Sequence, residues 1–169
     1  MKTRLTVALI AFSIGNCFAS DKAQSTLIKI TPKRIPMTKI AQIACAPPGQ
    51  QYGIHLSAEA DVYLNQTALD YRRKNPKSFA YPVGSKFVKR KFAKKGDKEP
   101  ELETVMVWAK NAGKVDDWIF SMLSLPDRVP LNQSRKVSCA SCHKRYRDRG
   151  FISFETEVAL QKHLKATKP

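Results

Sequence analysis

Pro82-Val83-Gly84-Ser85-Lys86-Phe87-Val88-Lys89-Arg90-Lys91-Phe92 reads as a turn followed by a strand. The Pro-x-Gly start bends the chain, and the residues after it favour extended backbone. Alternation puts Phe87, Lys89 and Lys91 on one face and Lys86, Val88, Arg90 and Phe92 on the other, so neither face is cleanly apolar. The pattern recurs outward. A charged turn around Gly96 leads to a strand over 102–109, and Asn111-Ala112-Gly113 breaks it before a third strand over 117–123. Upstream, Asp61–Leu64 predicts a short strand, and Asn65 caps a helix from Gln66 to about Arg73. Residues 20–37, with Pro32 and Pro36, read as a loosely ordered lead-in. Thr38–Cys45 reads as a short helix ended by Pro47-Pro48-Gly49, and 124–137 as a loop. Phe151–Phe154 predicts one more strand, and Glu155–Lys165 a terminal helix. These runs predict an α+β fold, an antiparallel sheet with a few short helices.

Cys139-Ala140-Ser141-Cys142-His143 follows the strands and is expected at the start of a short helix. Cys-x-x-Cys-His is the attachment signature of a c-type haem. The thiols of Cys139 and Cys142 would form thioethers with the two porphyrin vinyl groups, and His143 would bind the iron. A redox Cys-x-x-Cys is expected near a βαβ pattern, which is not visible. A zinc site needs further ligands that no second Cys-x-x-Cys or His-x-x-x-His supplies. An electron-transfer cytochrome c carries its motif early with a methionine downstream, whereas here the motif is late and no methionine follows it. A helical cytochrome c′ needs four long amphipathic helices, which the strand-like middle does not allow.

Met1–Ala19 reads as a secretory signal, with Lys2 and Arg4 ahead of an apolar run and Cys17-Phe18-Ala19 at the cleavage position. A lipoprotein reading through Cys17 is weaker, because Asn16 stands where a small residue is wanted. The expected product is periplasmic or otherwise exported and soluble after cleavage, which agrees with covalent haem attachment. The remaining length suits one domain: 20–49 as an N-terminal extension and 50–169 as the haem domain. The formal net charge of +16 suggests acidic partners, an anionic surface or nucleic acid. Nucleic acid is not expected of an exported chain without a binding motif. The cations are dispersed, so a solvated basic surface is the plainer reading, and steering of an acidic electron-transfer partner is the functional one. Cys45 is left over, as a buried small side chain or a bridging thiol.

Several blocks in order give a family resemblance: Val62-Tyr63-Leu64-Asn65; Tyr81-Pro82-Val83-Gly84-Ser85 leading to Val88-Lys89-Arg90-Lys91; Val105-Met106-Val107; Asp117-Trp118-Ile119-Phe120; and Cys139–His143 with Phe151–Phe154. Over roughly residues 50 to 157 the chain resembles the cytochrome P-460 family, which includes the sheet-based cytochromes c′-beta. The resemblance implies a homodimer of antiparallel-sheet subunits. Each would hold one covalent haem c with His143 as proximal ligand and an open sixth position. It also implies that Lys89 stands where P-460 members cross-link a lysine to the porphyrin. Such members oxidise hydroxylamine, while c′-beta members lack the cross-link and bind nitric oxide or related gases. Two departures weaken the enzymatic implication. The acidic residue those members carry on the strand before the tryptophan strand falls here near Thr104 or Met106, with Glu101 and Glu103 on the wrong parity. Their distal arginine falls near Ala60. His55, just upstream, is a candidate distal proton carrier or sixth ligand, in which case a plain electron carrier results. His163 is expected to be exposed, and Phe87, Phe92, Met106, Trp108, Trp118 and Phe120 to be core, with one or two lining the haem pocket.

Overall fold

The computed structural model describes residues 26–37, 58–110, 114, 117–130 and 136–167. The expected signal segment, the helix over 38–45, Cys45 and His55 lie outside the described residues. Seven antiparallel strands form one sheet: β1 Leu27–Lys29, β2 Ile35–Pro36, β3 Glu59–Asn65, β4 Lys86–Phe92, β5 Leu102–Trp108, β6 Trp118–Ser124 and β7 Val129–Pro130. The order is β1-β3-β4-β5-β6-β7, with β2 also paired to β3. Among the described residues, three α-helices, α1 Gln66–Lys74, α2 Lys136–His143 and α3 Phe154–Ala166, accompany it, and a 3₁₀ helix spans Lys144–Arg149. The fold is α+β, as the strand-like runs predict. No described helix is long and apolar enough to cross a membrane.

Three local expectations are corrected. The lead-in over 20–37 contains β1 and β2, which gain their backbone bonds from the edge of β3, with Leu27 opposite Asn65 and Ile35 opposite Ala60. The loop over 124–137 contains β7, which pairs Val129 with Ser124. Phe151–Phe154 is not a strand. Gly150 and Phe151 both adopt left-handed backbone, with φ of 62° and 67°, and turn the chain into α3.

Asn65 explains how β4 is set in place. Its Oδ1 accepts from Ala68 N at 3.1 Å, capping α1, and from Lys86 N at 3.0 Å. Its Nδ2 donates to the Gly84 carbonyl at 2.8 Å. One side chain thus fixes the helix start and the turn that begins β4, and with them the register of Lys89. Gly84 needs its φ of 87° for that turn.

Strand pairing sorts the sheet into two faces. Ala60, Val62 and Leu64 share the inner face with Phe87, Lys89 and Lys91, with Leu102, Thr104, Met106 and Trp108, and with Trp118, Phe120 and Met122. The main core lies here, where Val62, Leu64, Phe87, Trp108, Trp118 and Phe120 meet Ala68 and Leu69 of α1 and Ala159, Leu160 and Leu164 of α3. Edge-to-face aromatic pairs, such as Trp108–Trp118 at 4.8 Å and Phe87–Trp118 at 5.7 Å, give it direction. Arg72 of α1, fully buried, pairs with Glu157 of α3 and donates to the Ser78 carbonyl at 2.6 Å, tying the two helices together.

Candidate haem site

The Cys-x-x-Cys-His motif occupies the C-terminal half of α2, not the helix start expected from sequence. Helix α2 packs on β6, which brings the motif to the inner face. Cys139 and Cys142 are half-buried and both lie against Met122 of β6, so the two thiols open onto one apolar neighbourhood. Burial raises the pKa of the Cys139 thiol while the charge of Lys91 pulls the other way, so the thiol form prevails near neutrality. A neutral thiol can add across a vinyl group with no leaving group to expel.

His143 is held from behind. Its Nδ1–H donates to the Phe151 carbonyl at 2.6 Å, which leaves the lone pair on Nε2. Its ring packs against Phe120, with centroids 5.1 Å apart, and Tyr146 stands edge-on at 6.1 Å. Burial pushes the imidazole pKa down to about 4; the Phe151 bond opposes this, and the charges of Lys89 and Lys91 add to it. The imidazole is therefore neutral at physiological pH, which is the metal-binding form. A backbone carbonyl on one ring nitrogen and a free lone pair on the other is the arrangement that orients a metal-bound histidine. These residues fit a covalently held haem: two thiols and an oriented neutral imidazole lie on one apolar face.

Lys89 is on that face, half-buried, with its Nζ donating to Ser153 Oγ at 3.0 Å. Its charge and that of Lys91 are both felt at His143. Lys91 is fully buried, and the register places it beside Ala60 and Leu102. Sequence reasoning put Lys91 on the Lys89 face but did not single it out. Its signal was the two-residue spacing from Lys89, obscured by the surrounding cations.

The acidic residues are elsewhere. Thr104 and Met106 are on the inner face, Thr104 directly across from Lys89 and from Met122. Glu103 points to the outer face, where it is buried between Arg90 at 3.1 Å and Arg128 at 3.0 Å. The strand register thus keeps this carboxylate away from the site. Of the side chains expected in the core, Phe87, Trp108, Trp118 and Phe120 are buried on the inner face and Met106 is half-buried there. Phe92 is buried on the outer face under Arg34, whose guanidinium lies 3.3 Å from the ring centroid. His163 is half-buried on α3 rather than exposed, and burial lowers its pKa.

No curated protein matches the chain. The sequence model of the family described as Cytochrome P460 matches residues 45–153, which run through β3 to β6, the motif and the turn behind His143. With the fold and a haem-compatible donor set in agreement, this chain belongs to the cytochrome P460 family, whose members suggest a c-type haem protein.

Proposed function

We propose that the chain is an exported haem c protein that oxidises hydroxylamine, or a related small nitrogen compound, at an open iron position. In this reading Cys139 and Cys142 carry the porphyrin and His143 Nε2 is the single protein ligand to iron. Bound haem supplies an iron that accepts a small ligand and takes electrons from it. The observation that carries the reading is the shared face: Lys89 of β4 and His143, packed on Phe120 of β6, lie on the same side of the sheet, and the Lys89 charge helps keep the imidazole neutral. Lys89 is therefore the residue proposed to bond to the porphyrin. Such a C–N bond would replace one N–H and one C–H, with the two hydrogens and two electrons passing to a two-electron oxidant such as hydrogen peroxide, which would become water. Lys89 and Lys91 also keep the pocket positive, which favours the neutral or anionic forms of a nitrogen substrate over cationic hydroxylammonium.

Oxidation of hydroxylamine releases protons along with electrons, and the electrons leave to an acceptor protein with an acidic surface. The exposed cations Lys144, Arg145 and Arg147, directly after His143, support such a partner. A homodimer belongs to the same reading, as do export and cleavage of the signal. Peptide mapping of the holoprotein, with steady-state assay using hydroxylamine and an artificial acceptor, tests the proposal. A porphyrin-bearing Lys89 peptide and turnover are expected; a free Lys89 amine and no turnover would refute it.

One observation favours a second reading, nitric-oxide capture without turnover. Among the described strand residues the inner face carries no carboxylate, since Thr104 and Met106 stand where an acidic proton acceptor would serve. Tight binding of nitric oxide with no hydroxylamine turnover would select this reading.

A further inference from the structure

We propose that the turn Gly150–Ser153 is a single support for both functional side chains, and that Ser153 is a positioning residue for the Lys89 amine. This rests on the reading that Lys89 faces the haem. The turn offers polar groups on two residues that are two apart in sequence: the Phe151 carbonyl accepts from His143 Nδ1 at 2.6 Å, and Ser153 Oγ accepts from Lys89 Nζ at 3.0 Å. Ser153 stands at the N-cap of α3 with extended backbone, where a serine ordinarily accepts from the first-turn N–H groups. It makes no such side-chain bond. Its hydroxyl is turned instead to Lys89 and to Thr156 Oγ1, 2.9 Å away and buried. Accepting from the ammonium leaves Ser153 both its proton and a second lone pair, so its bond to Thr156 can run in either direction. A cap forgone for a contact 64 residues away in sequence points to placement of the lysine.

The turn is stiff. Gly150 has φ of +62°, and a Cβ there would meet the Phe79 carbonyl at 2.6 Å. Phe151 is itself left-handed at 67°, buried, and so held against a local preference. Phe79 packs under Arg72, with the guanidinium 4.7 Å from the ring centroid, so the turn is anchored to α1. A shift at Gly150 therefore moves the carbonyl behind His143 and the hydroxyl beside Lys89 together.

The test uses holoprotein of the wild type, Ser153→Ala, Ser153→Thr and Gly150→Ala. Two readouts are taken: the state of Lys89 by mass mapping, and the iron–histidine stretch of the ferrous form by resonance Raman. Lys89 is scored as porphyrin-attached fraction and, for any free amine, as reductive-methylation rate. Ser153→Ala is expected to lower attachment, or raise methylation, by about threefold, the low end for a lost hydrogen bond. The iron–histidine stretch should stay at the wild-type frequency, and Ser153→Thr should restore Lys89. Gly150→Ala should move both readouts. An unchanged Lys89 in Ser153→Ala, no rescue by threonine, or a Gly150→Ala protein that moves only one readout would overturn the proposal. If Gly150→Ala does not fold, the Ser153 pair still decides the role of the hydroxyl. A wild type with Lys89 wholly free would refute the cross-link, while the methylation rates still test the positioning.

Discussion

The two faces of the sheet divide its charge. On the outer face, Asp61 is bound by Lys29 at 2.9 Å, by Arg34 and by the Thr31 hydroxyl, while Glu103 sits between Arg90 and Arg128. On the inner face, the described strands carry Lys89 and Lys91 among aromatic and aliphatic side chains, with no carboxylate. Both faces bury ionisable groups, but with different consequences. The outer carboxylates have cations within reach, so their burial is compensated inside the protein. The inner lysines add to the burial that lowers the His143 pKa, and Lys91 pulls against the burial that raises that of Cys139. Among the described strand residues, then, the buried carboxylates Asp61 and Glu103 serve the outer face, and the inner face carries lysines; the inner-side carboxylate Glu157 belongs to α3 and is paired with Arg72. That separation would suit an anionic group, such as haem propionate or a small anion, far better than a cation.

Changes that respect this division should have separable effects. The largest is expected from replacing both Cys139 and Cys142 with serine: covalent haem, read by denaturing gel and intact mass, should disappear entirely. Next, Leu160→Ala removes a fully buried side chain of α3 beneath the site. It should cost about 2–5 kcal/mol of stability in denaturant unfolding. Thr104→Glu would place a carboxylate across from Lys89, on the face that has none. If proton removal limits turnover, hydroxylamine oxidation should rise about tenfold, a modest share of what a positioned base supplies. Loss of nitric-oxide affinity without any gain in turnover would argue against that. The smallest effect belongs to the outer face. Glu103→Gln should lower stability by about 1 kcal/mol, because both arginine partners are partly solvent-screened. The haem spectrum should not change; a changed spectrum would break the division between faces.

Much of this was legible in sequence. The strands at β3 to β6 follow from aromatic and β-branched runs bounded by turn residues, and Asn65 from its place before α1. The faces of β4 were legible only as a parity. Phe87 is core, but Lys89 and Lys91 on the same side face the motif, and Val88 and Phe92 are buried on the other side beside Arg90. An apolar count along the strand therefore has no clean answer. Strand β1 was missed because its partner, β3, lies far along the chain, so nothing local marks it. Phe151–Phe154 reads as a strand because Phe151, Ile152 and Phe154 are apolar. The left-handed turn that Gly150 begins, and the carbonyl it presents to His143, depend on contact with Phe79 rather than on local pattern. The burial of Lys91 was hidden by its many exposed cationic neighbours.

In the proposed reading, the inner face holds a haem with His143 on one side of the iron and an open position on the other. Absorption and electron-paramagnetic-resonance spectra of the ferric and ferrous holoprotein test it most directly, since Met106 and Met122 share that face and a sixth protein ligand would show at once. A five-coordinate, high-spin iron that takes up nitric oxide is the expected result. A six-coordinate, low-spin iron in both oxidation states would contradict it.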